Sequence, residues 1–230
     1  MPTNDVKLLG APASQYVNRV QFALNLKSID YEFIPQNMRE KSELLLKSNP
    51  VHKNIPVLLH GDKPICDSLV IVQYIDEFWF DGPSILPSDP YDRAIARFWA
   101  AYIDDKWIPF FKELTTAKDE ESKTALVEKI LEGLKFFEDV FVKASKGKCF
   151  FGGETIGFLD IVLGCYLGWL KAWGIQLDVN FLDEAKTPAL VGWAESFSSD
   201  KAIHGIIPET EELFRILQII LARAADAASK

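Results

Sequence analysis

The stretch Ile55-Pro56-Val57-Leu58-Leu59-His60-Gly61-Asp62-Lys63-Pro64-Ile65-Cys66-Asp67-Ser68-Leu69 decides how this chain is read. Two short apolar runs flank His60-Gly61-Asp62-Lys63, the pattern of two antiparallel strands joined by a tight hairpin turn. Pro56 suits the first position of a strand, where its nitrogen need not donate to the ladder. Asp67-Ser68 then supplies side-chain oxygens ahead of Leu69, Val72, Tyr74 and Ile75, which marks a helix start.

Towards the N-terminus the periods alternate. Val6-Lys7-Leu8-Leu9 reads as a strand, and Val17, Val20, Ala23 and Leu24 recur at helical spacing after Ser14. Tyr31-Glu32-Phe33-Ile34 reads as a half-buried strand, and Leu44-Leu45-Leu46 as a short helix stopped by Asn49-Pro50. The order is β-α-β-α-β-β-α, a small mixed sheet with helices packed on it.

Towards the C-terminus, Asp81-Gly82-Pro83-Ser84-Ile85-Leu86-Pro87-Ser88-Asp89-Pro90 is linker text. It divides the chain into an α/β domain over residues 1–80, a linker over 81–92 and an all-helical domain over 93–230. Residues 1–80 carry 8 basic and 9 acidic side chains, the remainder 17 and 24, so the acidity sits in the second part. Residues 93–118 and 121–146 have apolar positions three and four apart, as amphipathic helices do. Residues 157–173 are apolar nearly all round and read as a central helix. Its Asp160 can return a carboxylate to the first N–H groups, half of a capping box. Residues 188–197 and 209–225 complete the helices.

Composition narrows the function classes. The chain has 230 residues, 48% hydrophobic and 25% charged, the balance of a globular protein rather than a disordered one. A formal net charge of −8 argues against nucleic acid and anionic membrane as partners. The most apolar run, residues 161–170, is half the roughly 20 residues a bilayer needs, so it reads as core. Residues 1–5 lack the basic-then-apolar pattern of a signal peptide. Three cysteines, Cys66, Cys149 and Cys165, suit a reduced, cytoplasmic protein better than a disulfide framework. His52, His60 and His204 lack metal-ligand spacing, so no metal site is expected. The glycines around Lys148 are not followed by the Lys-Ser/Thr of a phosphate loop, and read as a loop closing before a helix.

The residues resemble a family. Asn49-Pro50-Val51-His52-Lys53-Asn54-Ile55-Pro56-Val57-Leu58 and Lys63-Pro64-Ile65-Cys66-Asp67-Ser68-Leu69 look like the glutathione-binding stretch of plant tau-class glutathione transferases. Leu86-Pro87-Ser88-Asp89-Pro90-Tyr91 and Ala96-Arg97-Phe98-Trp99-Ala100 continue the likeness past the linker, and it covers nearly the whole chain. It implies a thioredoxin-like N-terminal domain followed by an all-α C-terminal domain.

Asp67-Ser68 at a helix start offers N–H groups and a positive dipole end to a carboxylate, with the Asp67 carboxylate beside it for an ammonium. The γ-glutamyl end of glutathione carries both groups. A plain helix cap accounts for the same two residues. Ile55-Pro56 reads as an ordinary trans bond from sequence alone. The resemblance implies a cis bond, with the Ile55 backbone pairing with the cysteinyl part of glutathione. By the same resemblance Lys41, Lys53 and Asn54 lie near the glycine carboxylate, Asn54 standing where the family commonly has lysine, although lone lysines are usually solvated surface residues. Asp67 stands where the family more often has glutamate.

Ser14 is the residue assigned to chemistry. Between the first strand and first helix, its hydroxyl can cap the helix or donate to a thiolate in the favourable dipole field. The family usually reads Ser-Pro-Phe here, whereas this chain reads Ser14-Gln15-Tyr16, which restores an N–H and removes a preset φ. The hydrophobic electrophile is expected between the domains, near Tyr16, Ile108, Lys112, Trp169 and Ile216, positions that equally suit core packing.

The expected function is conjugation of reduced glutathione to hydrophobic electrophiles, with reduction of organic hydroperoxides as a second activity. Glutathione is then a co-substrate, no cofactor is required, and the family implies a homodimer. Relatives that carry out thiol–disulfide exchange or dehydroascorbate reduction place a cysteine at the Ser14 position, and here none precedes Cys66. A non-catalytic carrier that keeps the glutathione site and binds apolar ligands is the alternative.

Overall fold

The computed structural model describes residues 5–228. Residues 1–4, which fall in the segment assessed for targeting, lie outside the described residues, as do 229 and 230. The chain forms two compact units, Met1–Leu86 with Ser199–Ile207, and Pro87–Ser198 with Pro208–Lys230.

The first unit follows the order read from sequence: β1 (Val6–Gly10), α1 (Gln15–Leu26), β2 (Glu32–Pro35), α2 (Glu43–Ser48), β3 (Val57–His60), β4 (Lys63–Cys66) and α3 (Ser68–Phe78). The sheet order is β2-β1-β3-β4, with β1 parallel to β2 and the other pairs antiparallel. Its thioredoxin-like topology is the expected one. Leu8, Leu9, Val57 and Leu58 of the sheet are fully buried with Val17, Val20 and Leu24 of α1 and Ile71, Val72 and Ile75 of α3. Each such side chain contributes about 1.5–3 kcal/mol on leaving water. The Lys27 ammonium, buried at the C-cap of α1, meets the Asp76 carboxylate of α3 at 2.7 Å. Asp76 also accepts the Ile85 and Leu86 N–H groups at 2.9 and 2.8 Å, which fixes the chain leaving α3. Residues 199–207 join this unit, and Asn25 of α1 donates to the Ala202 carbonyl at 3.1 Å.

The second unit is helical: α4 (Pro90–Tyr102), α5 (Ile108–Leu114), α6 (Glu120–Ser145), α7 (Phe158–Gly164), α8 (Leu167–Leu177), α9 (Pro188–Ser199) and α10 (Thr210–Ala228). Two expected continuous helices are interrupted. The one read over 93–118 carries a π turn, Ile103–Trp107, and ends at Leu114. The cause is tertiary: the Trp107 indole donates to the Ile130 carbonyl at 3.0 Å and lies against Gly133, where a Cβ would come within 2.3 Å of the ring. The one read over 157–173 breaks into α7 and α8 at Cys165 and Tyr166. Tyr166 turns its hydroxyl to Asp104 at 3.2 Å. Residues 158–177 are long and apolar enough to cross a bilayer by composition, but 78% of that window is buried inside the fold.

Asp160 organises the start of α7. Its carboxylate accepts from the N–H groups of Gly157 (2.8 Å), Phe151 (2.8 Å) and Gly152 (2.9 Å), and from the Trp193 indole at 2.7 Å. The Gly157 bond is the half capping box read from sequence. The Phe151 and Gly152 bonds hold the glycine loop that precedes the helix. Complete burial pushes the Asp160 carboxyl up to about 6, against four N–H donors that favour the anion.

Candidate active site

Strand register assembles one end of the first unit's sheet. Leu9 lies opposite Val57, and Val57 opposite Cys66, so the end of β1, the start of β3 and the end of β4 come together. Gly10 of β1 also pairs with Pro35 at the end of β2. Every glutathione candidate leaves the sheet at this end: Ser14 after β1, Lys41 after β2, Lys53, Asn54, Ile55 and Pro56 before β3, Asp67 and Ser68 after β4.

Ser14 occupies the N-cap position of α1 with extended backbone, φ −84° and ψ 112°. Its carbonyl accepts from Val17 and Asn18 at 2.9 and 3.0 Å, yet its side chain makes no capping hydrogen bond. Of the two readings of this hydroxyl, the capping bond is not formed in this structure. Gln15 is the first helical residue.

Asp67 and Ser68 divide their work differently from the sequence reading. Asp67 is the N-cap of α3, and its Oδ1 accepts from Leu69 and Val70 at 2.9 and 3.1 Å. Two of the helix N–H groups expected for a ligand carboxylate are thus committed to Asp67. Oδ2 carries no hydrogen bond among the described residues. Asp67 holds φ at +74°, a conformation L side chains seldom adopt, and such positions cost of order 1–3 kcal/mol and cluster at ligand clamps. Ser68 is buried, and its Oγ accepts from the Arg19 guanidinium at 3.3 Å.

The remaining glutathione candidates line the loop between α2 and β3 and the approach to α2. Lys41 is half-buried beside Ser42, whose hydroxyl accepts from Leu45 at 3.1 Å and donates to Gln36 at 2.7 Å. Buried Asn49 donates to the Asn54 carbonyl at 2.9 Å, and its side-chain oxygen accepts from His52 at 3.1 Å. Lys53 is exposed with φ +53° and donates its N–H to the Asn49 carbonyl at 2.8 Å. The Ile55-Pro56 bond is cis, as the resemblance implies and against the reading from sequence alone.

Arg19, which the sequence reading does not single out, is the residue that bonds candidate Ser68. It lies fully buried in α1, its guanidinium carbon 5.2 Å from the centre of the Tyr16 ring. The available signal is its place in the apolar stripe, beside Val20 and four residues before Ala23. Cys66 donates to the Ser48 carbonyl at 3.5 Å, and burial with the neighbouring Asp67 pushes its thiol up, away from a reactive thiolate.

The hydrophobic-substrate candidates fall in both units. Tyr16 is half-buried on α1 in the first. Ile108 and Lys112 lie one turn apart on α5, Trp169 on α8 and Ile216 on α10, all in the second. There α8 packs on α10, and Phe111 of α5 meets Trp173 of α8 with ring centres 6.0 Å apart. Among the described residues no group of three or more His, Cys, Asp or Glu side chains is arranged to hold a metal ion.

A thioredoxin-like unit with its ligand candidates at one end of its sheet, joined to an all-helical unit, is the plan of a glutathione S-transferase. The family pattern of the glutathione S-transferase N-terminal domain matches residues 8–78, and that of the C-terminal domain matches 98–201. The chain is 56% identical to glutathione S-transferase U17 of Arabidopsis thaliana over 93% of this chain and 94% of that protein. It is similar to the tau-class enzyme of mango, Mangifera indica, with 59% identity and a TM-score of 0.92, covering 94% of this chain and 98% of that one. Rice GST1, solved in complex with glutathione, superposes with a TM-score of 0.87 at 30% identity, over 95% of this chain and 97% of that one. The chain belongs to the glutathione S-transferase family, in its tau class.

Proposed function

We propose that this protein conjugates reduced glutathione to hydrophobic electrophiles by stabilising the glutathione thiolate with Ser14, and that it also reduces organic hydroperoxides. The observation that carries the mechanism is the Ser14 hydroxyl, set at a helix N-terminus yet making no cap. A free thiol has a pKa near 8.5, so little thiolate exists at pH 7 unless donors and a positive field lower it. The Ser14 hydroxyl and the first turn of α1 supply both. The thiolate sulfur attacks the electrophilic carbon, a carbon–sulfur bond forms, and in a substitution the leaving group departs with the bonding pair.

Binding divides along the tripeptide. Asp67 Oδ2 takes the ammonium, Ser68 takes the γ-glutamyl carboxylate, the Ile55 backbone pairs with the cysteinyl unit, and Lys41, Lys53 and Asn54 face the glycine carboxylate. Tyr16, Ile108, Lys112, Trp169 and Ile216 contribute to holding the electrophile. The domain boundaries proposed from sequence, 1–80 and 93–230 about a linker, leave all the glutathione residues in the first domain and four of the five electrophile residues in the second, Tyr16 being the exception. Two copies associate through an apolar stripe on α4, where Tyr91, Ile95 and Phe98 recur at helical spacing and are 72%, 36% and 60% exposed. The free thiols Cys66, Cys149 and Cys165 fit a reducing cytoplasm.

The test is turnover of a chlorinated nitrobenzene with glutathione by the purified protein. Conjugate formation above the uncatalysed rate is expected. Tight glutathione binding with no turnover of this or other electrophiles, or of hydroperoxides, supports the carrier alternative instead.

A further inference from the structure

A cavity of about 580 Å³ opens where α1 and α3 end, lined by Glu77, Phe78, Trp79, Phe80 and Asp81 with Lys27 beside them. It belongs to the first unit alone, at the opposite ends of those helices from Ser14 and from Asp67. Its volume suits a small-molecule ligand. Its charge is one-sided. Both helices turn the negative ends of their dipoles here, and neither has a basic residue in its last turn. The Lys27 ammonium is already paired, buried against Asp76 at 2.7 Å. The Glu77 and Asp81 carboxylates make no hydrogen bond or ion pair among the described residues. The rings supply the apolar side. His60, outside the lining, stacks on Trp79 with ring centres 5.0 Å apart and stands edge-on to Phe78 at 4.6 Å, which fixes both rings in advance. Phe80 is 76% exposed and makes no ring contact among the described residues.

We propose that this cavity binds a small aromatic ammonium ion, its charge beside Glu77 and Asp81 and its apolar part against Phe78, Trp79 and Phe80. The rings decide which kind of cation fits. Aromatic faces attract a weakly hydrated alkylammonium, whereas a metal ion needs more oxygen ligands than two carboxylates. An anion meets two carboxylates and two helix C-termini, and a neutral ligand gains the rings but not the charges. No residue of this cavity belongs to the glutathione assignments, so this site and the catalytic one are independent.

Three phenols of similar shape and different charge test it: 4-hydroxyphenyltrimethylammonium, its neutral isostere 4-tert-butylphenol, and 4-hydroxybenzenesulfonate. Each is titrated into the full chain at low ionic strength and followed by ligand NMR. The ammonium is expected to bind about tenfold tighter than the neutral isostere, and the sulfonate more weakly than both. Phe80→Ala should weaken the ammonium about fivefold, the scale of one cation–ring contact, and Phe80→Leu, which keeps an apolar side chain without a ring, should do the same. Glu77→Gln with Asp81→Asn should reduce the preference for the ammonium over the isostere to less than threefold. All three positions are exposed, so melting temperature should hold, and kcat and KM for glutathione should not change. Saturating S-hexylglutathione should leave ammonium binding intact. Equal binding of the three phenols, or no binding of the ammonium at about 10 mM, overturns the proposal. So does an ammonium preference that survives the amide variants, an affinity unmoved by both Phe80 variants, or displacement by S-hexylglutathione, each of which puts the cation elsewhere.

Discussion

Val57 lies opposite Cys66 across the β3–β4 hairpin, and this pairing sets the cis Ile55-Pro56 bond beside the Asp67-Ser68 start of α3. One register thus brings a backbone edge and a helix N-terminus to the same end of the sheet. Ile55 and Asp67, separated along the chain by two strands, lie at the same end of the hairpin because its turn is only Gly61-Asp62 long.

The cap that Asp67 forms and the ammonium contact proposed for it can be separated by substitution. Asp67→Asn keeps an acceptor for Leu69 and Val70 and tolerates positive φ, so melting temperature should change little. It loses the charge that faces the glutathione ammonium, and affinity should fall about tenfold, the scale of one charge-assisted hydrogen bond. Asp67→Ala should lose the affinity and also about 1 kcal/mol of stability with the cap. Calorimetric titration alongside thermal unfolding of both variants checks this; unchanged affinity in Asp67→Asn would show that the carboxylate only caps.

Asp160 should dominate the stability of the second unit. Asp160→Ala strands four buried donors, each worth about 1–3 kcal/mol when left unpaired, and is expected to cost several kcal/mol or prevent folding. The pH dependence has a definite sign. Its folded carboxyl titrates at about 6, above the ordinary 3.8, so the folded state binds the extra proton between those values. Stability from this group therefore falls as pH rises from about 4 to about 6 and is level above that. Urea unfolding across that range, with Asp160→Asn as the non-titrating reference, should give a wild-type advantage that shrinks with rising pH. An advantage that grows instead would place the folded value below 3.8.

The α4 stripe predicts an association that one substitution breaks. Phe98→Glu puts a charge into the apolar face formed with Tyr91 and Ile95. Light scattering at micromolar concentration should give a dimer for the wild type and a monomer for the variant, with melting temperature little changed. A wild-type monomer contradicts the homodimer; a variant dimer moves the interface elsewhere.

Much of the first unit is legible in the sequence because its punctuation is local. Prolines and glycines bound each strand, and Ser14, Ser42 and Asp67 stand where α1, α2 and α3 begin. The second unit is legible as helices but not as breaks. Ile103-Asp104-Asp105-Lys106-Trp107 contains no glycine or proline, and its π turn follows from Trp107 reaching Ile130 and Gly133 of α6, contacts remote in sequence. Arg19 is hidden because a charge in an apolar stripe ordinarily reads as solvated. Ser14 leaves two roles open in the sequence, since one hydroxyl at one helix start satisfies both.

The central claim is that Ser14 stabilises the glutathione thiolate, and the pH–rate profile of Ser14→Ala tests it most directly. Losing one donor to a stored anion should lower kcat by about 10²-fold, with KM for glutathione nearly unchanged because the binding residues remain. The thiol of the bound complex should titrate at higher pH, so the alkaline rise in rate should shift upward. Stability should hold, because no capping bond is removed. A Ser14→Ala variant with wild-type kcat and an unshifted profile would contradict the account.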